Sequence, residues 1–127
     1  MQNYILVILG AGFGGALRYW IEGTIHKILP ATFPYGTLAV NIAGSFILGF
    51  VMFYFSVNEL INPQFRLLLT TGLCGGLTTF STFSFETFNL FNENEILLGF
   101  SNLFLNVILT LLFVFIAYIL AKIISGA

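Results

Sequence analysis

Residues 72–83 read GLCGGLTTFSTF: three glycines, four hydroxyl residues and two phenylalanines in twelve positions. In water such a run is a loop. Within a bilayer, irregular backbone is tolerated only where protein or an aqueous path encloses it. The meaning of the stretch therefore depends on what flanks it.

The flanks are apolar. Of 127 residues, 58% are hydrophobic and 7% charged, and the mean hydropathy is +1.01. A soluble domain carries about 25% charged residues to cover its surface. Four apolar segments stand out, at about Tyr4–Leu29, Gly36–Val57, Arg66–Phe91 and Ile96–Ile124. Each exceeds the roughly 20 residues that a helix needs to cross the hydrocarbon core. The connections "LPATFPYG", "SVNELINPQ" and "NENE" are short, so successive helices are expected to be antiparallel neighbours. The expectation is an all-α integral membrane protein, a single four-helix domain over residues 1–127. The first segment has no basic leader and carries Arg18 where a cleaved signal needs an apolar core, so it reads as retained.

Several function classes fall away. "YILVILGAGFGG" offers G-x-G-x-x-G at Gly10, Gly12 and Gly15, but no acidic residue stands among residues 30–40 to hold a ribose. Small residues such as Gly10 and Gly14 instead suit close helix packing, and Gly36, Ala43, Gly44 and Gly49 repeat the device in segment two. A net charge of −1 leaves no basic footprint for nucleic acid. Cys74 is the only cysteine, so it forms no intramolecular disulfide and reads as a packing residue. His26, the only histidine, sits beside Lys27 at a helix end. With no phosphate loop and no plausible catalytic triad, the chain is not read as an enzyme.

If the spans alternate, Arg66 and Lys122 lie on one side of the membrane and Lys27 and Arg18 on the other. Orientation follows mainly from Lys and Arg near span ends. A balance of two against two gives no preferred direction. Weak signal is one explanation. The favoured one is insertion in both orientations, followed by pairing as an antiparallel dual-topology homodimer. Four helices of this length can scarcely enclose a hydrated path alone.

Polar residues inside a membrane usually face an interior or a pathway. Asn41 lies within segment two, and Asn102, Asn106 and Thr110 recur every four residues along one face of segment four. Singly, a Ser or Thr bonds its own helix carbonyl and an Asn serves as glue between helices. Together they suggest a polar track. In the opening stretch, Gly72, Gly75 and Gly76 weaken the third helix, and an unwound turn there would expose carbonyls suited to a cation. Phe80 and Phe83, three apart, share a side, and their electropositive edges suit a small anion. The bland alternative is that these rings are core or lipid-facing.

The stretches "GAGFGGALRY", "GTLAVNIAGSFILG" and "GLCGGLTTFSTFSFE" resemble the Fluc family of small bacterial fluoride channels over essentially the whole chain. The resemblance implies four helices per subunit, the third broken, in an antiparallel dual-topology homodimer with two fluoride pores in the bacterial inner membrane. It implies passive export of cytoplasmic fluoride, and hence resistance to its toxicity. By motif, Phe80 and Phe83 correspond to pore-lining phenylalanines, Asn41 to the pore amide, and Ser81 and Thr82 to a hydroxyl track. Gly75 and Thr78 fall where backbone carbonyls of both subunits hold a central structural sodium ion. Arg18 and Glu86 match charged residues of the pore vestibule. Asn106 and Thr110 join the track by spacing and approximate alignment, and Asn at 106 departs from the family pattern. The rival reading is a small dual-topology proton-coupled multidrug exporter. That transporter needs a membrane-embedded carboxylate in its first helix, where Glu22, toward the end of the span, is the only candidate.

Overall fold

The computed structural model describes residues 1–58 and 62–126, and among them it is helical with no strand. Helix α1 spans Gln2–Ile28 and α2 Tyr35–Asn58. A short helix α3, Pro63–Leu67, leads into a π-helical segment, Leu68–Cys74, and then into α4, Gly75–Leu77. Helices α5, Phe80–Asn92, and α6, Ile96–Ser125, complete the chain. Among the described residues, three helices are long and apolar enough to cross a membrane: Gln2–Ile28, Tyr35–Ser56 and Ile96–Ser125.

Local chemistry sets the ends. Helix α1 stops at Leu29, extended as the residue before Pro30 must tend to be. In α3, Pro63 occupies the first turn, where its missing N–H costs nothing, and Asn62 Oδ1 caps Gln64 N at 2.8 Å. The turn between α5 and α6 places Asn94 at φ 62°, a conformation that Asn tolerates. Gly126 ends α6 in the left-handed region, at φ 69°.

The helices meet through small residues. A Cβ on Gly10 would lie 2.6 Å from Leu68 O and 2.8 Å from Gly72 Cα, while one on Gly76 would lie 2.9 Å from Ala11 Cα. Helix α1 thus runs directly against the backbone of the π-helical segment and α4, the small-residue contact that substitutes for hydrophobic drive in lipid. Helices α2 and α6 run parallel, with Asn41 facing Asn106 and Gly49 facing Val114 and Ala117. The interior is partly polar. Thr37, Asn41, Thr79, Thr87, Asn102 and Asn106 are buried beside Val40, Leu77 and Phe83, whereas Tyr19, Trp20, Phe88 and Leu111 are exposed. That inversion of the soluble pattern suits a protein whose solvent is lipid.

Segment three departs from its expected form in one respect. The three glycines lie within helical turns rather than at an unwound one. The backbone leaves the helix after Leu77, where Thr78 (φ −86°, ψ 156°) and Thr79 (φ −149°, ψ 114°) are extended. Gly72 and Gly76 answer instead to the close approach of α1.

Candidate functional site

A concavity of about 360 Å³ opens where α2, the Thr78–Thr79 link and α6 meet. Asn41, Ser45, Gly75, Thr78, Phe80, Phe83, Asn106 and Thr110 are among its lining residues, and none of the described lining residues is charged. Ser81 and Thr82 lie outside it: Ser81 is exposed and Thr82 half-buried.

The link is held by a side chain acting as a strand would. Thr79 N donates to Asn41 Oδ1 at 2.8 Å, and Asn41 Nδ2 donates to Thr79 O at 3.2 Å. The other N–H of Asn41 reaches Asn106 Oδ1 at 3.0 Å. Asn106 Nδ2 donates to Asn102 Oδ1 (2.9 Å) and O (3.0 Å). Asn102 Nδ2 donates to Thr87 Oγ1 at 2.9 Å, and that hydroxyl donates to Phe83 O at 2.7 Å. Both N–H groups of Asn41 are therefore committed within the chain. Its amide is a fixed wall of the cavity rather than a free donor.

The same bonds release two carbonyls. In a continuing helix Gly75 O would accept from Thr79 N, and Thr78 O from Thr82 N. Thr79 N goes to Asn41, and Thr82 N donates to Thr79 Oγ1 at 3.2 Å, an N-cap on α5. Gly75 O and Thr78 O are thereby deprived of those helical partners. Thr78 keeps its own N and Oγ1 bonded to Cys74 O, at 2.9 and 2.8 Å. Gly44 makes room for it, since a Cβ there would collide with the Thr78 methyl.

The two rings of the stretch touch, with centroids 5.4 Å apart and planes inclined by 57°. Their burial differs sharply: Phe83 is 6% exposed and Phe80 78%. Phe83 packs inside the fold, and Phe80, also in the cavity lining, is exposed.

The charged residues sit elsewhere. Arg18 is half-buried on α1 and outside the lining. Glu86 accepts from Thr37 Oγ1 at 2.8 Å through Oε1, and its Oε2 is buried without a hydrogen-bond partner among the described residues. Glu86 borders a second cavity of about 510 Å³ with His26, Thr32, Glu93 and Glu95. Glu22, packed on Gly36, lies near the end of α1. Thr37 and Thr87 are not singled out by the sequence, Thr79 enters only as one hydroxyl of the opening stretch, and Asn102 only as the head of the four-residue row with Asn106 and Thr110. What singles them out is pairing across helices, which spacing within one segment does not encode.

Comparison with known proteins shows the family. The family described as "CrcB-like protein, Camphor Resistance (CrcB)" matches residues 5–118. The chain belongs to that family. Among curated relatives of the CrcB-like chain, a protein of Clostridium novyi is 49% identical over 127 residues, covering 98% of this chain and 99% of the relative. One from Pyrococcus horikoshii is 46% identical over 119 residues (92% and 94%), and one from Clostridium perfringens 45% over 126 (97% and 98%). Each is named "Fluoride-specific ion channel FluC". With its apolar helices and these near full-length matches, the CrcB-like chain is a multi-pass membrane protein.

Proposed function

We propose that this protein is a fluoride-specific ion channel through which cytoplasmic fluoride leaves the cell passively, across the bacterial inner membrane. The names of its relatives support this reading, and one structural observation carries it. The cavity at the Thr78–Thr79 link is lined by an amide wall, hydroxyls and an aromatic pair, with no charged group among its described lining residues.

Fluoride holds water tightly, so a pore must replace that shell with donors. Thr110 Oγ1 donates to Asn106 O at 2.6 Å and Thr78 Oγ1 to Cys74 O at 2.8 Å. Such hydroxyls can rotate from a helix carbonyl to a passing anion and back. Ser45 adds a hydroxyl to the lining, and Ser81 and Thr82 extend the donor supply just beyond it. The ring edges of Phe80 and Phe83 contribute weak positive potential. Without a full positive charge, binding stays loose enough for release, as conduction requires.

The functional unit in this reading is an antiparallel dual-topology homodimer, in which the pieces over 63–92 act as a fourth, broken membrane-crossing path. Phe80 and Gly75 are exposed on the open side of the cavity, where a second copy would close it. Gly75 O and Thr78 O, freed of their helical partners, suit a structural sodium ion held with the partner's equivalents. Carbonyl oxygen is the donor type that hard cations prefer. Arg18 and Glu86 belong to the approaches of the pore.

The test is efflux from liposomes loaded with fluoride or chloride and containing the purified protein. Rapid fluoride release with chloride retained supports the reading. Retention of both ions, or equal release, overturns it.

A further inference from the structure

Asn102 is fully buried, with 0% exposure, and does not line the cavity. Its interactions nevertheless decide how the cavity's amides point. An asparagine side chain presents an acceptor on one edge and donors on the other, and exchanging them exchanges its partners. Thr79 offers Asn41 one donor and one acceptor, so only one orientation of the Asn41 amide satisfies both. That orientation aims the second Asn41 N–H at Asn106, which must answer with Oδ1. Asn106 Nδ2 is then turned toward Asn102, where it finds Oδ1 and the backbone oxygen. Asn102 in turn aims Nδ2 at Thr87 Oγ1, which has given its own proton to Phe83 O and can only accept. Reversing any amide in this series would set two donors or two acceptors face to face inside a buried site.

We propose that Asn102 is a positioning residue that acts through Asn106 and Asn41 to hold the Thr78–Thr79 link in its extended shape, tying it to the carbonyl of the ring-bearing residue Phe83. It touches no cavity surface, so its effect on the ion is indirect. For conduction the inference rests on the fluoride reading above. For the shape of the link it stands on the hydrogen bonds alone.

Two measurements test it. The first is amide hydrogen exchange at Thr79 N–H in the purified dimer, which needs no assumption about the ion. Asn102→Leu keeps the volume and removes the amide, and is expected to speed that exchange about tenfold, the loss of roughly one net hydrogen bond. The second is fluoride flux, which is expected to fall by a similar factor. Added to Asn106→Leu, Asn102→Leu should change flux by less than about twofold, because the link it acts through is already gone. Thr87→Val, which removes the terminal acceptor with little change of shape, should give the same non-additive pattern and serves if Asn102→Leu fails to fold. Unchanged Thr79 exchange, or flux losses that multiply in the double variants, overturns the proposal. A parent protein that passes no fluoride would overturn the channel reading and leave the exchange result to judge Asn102.

Discussion

The Asn41 side chain pairs with both backbone polar groups of Thr79, accepting from its N–H at 2.8 Å and donating to its carbonyl at 3.2 Å. An amide on one helix thereby supplies the hydrogen bonds that an extended residue between two others has lost. In lipid no water would do so, and an unpaired buried group costs about 1–3 kcal/mol. Asn41→Leu strands both groups and is expected to destabilise the protein by about 2 kcal/mol or more. Asn41→Asp keeps an acceptor for Thr79 N–H and should fall between. Thermal unfolding of the three proteins in one detergent checks the order. Equal stability of Asn41→Leu and the parent would remove the clamp.

The phenylalanine pair separates packing from conduction, because only one of its rings is buried within the chain. Phe83→Ile is expected to lower stability by about 1 kcal/mol, the usual cost of a change of shape in a core. Phe80→Ile, at a ring 78% exposed, should leave the stability of the single chain nearly unchanged. Both remove an electropositive edge, so both are expected to lower fluoride flux severely while the proposed dimer still forms. Parental flux in both folded variants would make the rings packing residues.

Adjacent glycines make a sharper contrast. A Cβ on Gly75 meets nothing within 4 Å among the described residues, whereas one on Gly76 meets Ala11 Cα at 2.9 Å. Gly76→Val should therefore fail to fold, since two backbones must separate. Gly75→Val should keep its helical circular dichroism yet lose the dimer or its flux, because the open side is where a second copy and a cation are proposed to sit. A Gly75→Val protein that is dimeric and conducts normally would argue against both.

Dual topology is tested in the turn between α5 and α6. Glu93, at φ −85°, accepts a cysteine without strain, and Cys74→Ala removes the buried background thiol. Impermeant reagent applied to either side of the membrane should label about half of the Glu93→Cys protein, as balanced flanking charges predict. Labelling from one side alone would contradict it.

The extent of the long helices was legible in the sequence because span length and hydropathy act locally. The expected ends near 4–29, 36–57 and 96–124 lie within two residues of Gln2–Ile28, Tyr35–Asn58 and Ile96–Ser125. The π-helical turn at Leu68–Cys74 was not legible. It accompanies the close approach of Gly10 to Gly72, a tertiary contact. The sequence places the break over Gly75–Thr78, where glycines weaken the helix. The backbone keeps its helical turn through Gly75 and Gly76 and departs from it only at Thr78–Thr79, where Asn41 and the Thr79 hydroxyl take the N–H groups that would have continued the turn. Asn41, Asn106 and Thr110 showed in the sequence as polar residues in apolar surroundings. That Asn41 has no free N–H did not, because its partners come from residues 38 and 65 positions away.

The most direct measurement is the current through the purified protein in a planar bilayer, with a tenfold fluoride gradient and equal chloride on both sides. A passive fluoride-specific pore predicts a current that reverses at the fluoride equilibrium potential, about 59 mV from zero. Absence of current, or reversal at zero, would contradict the account.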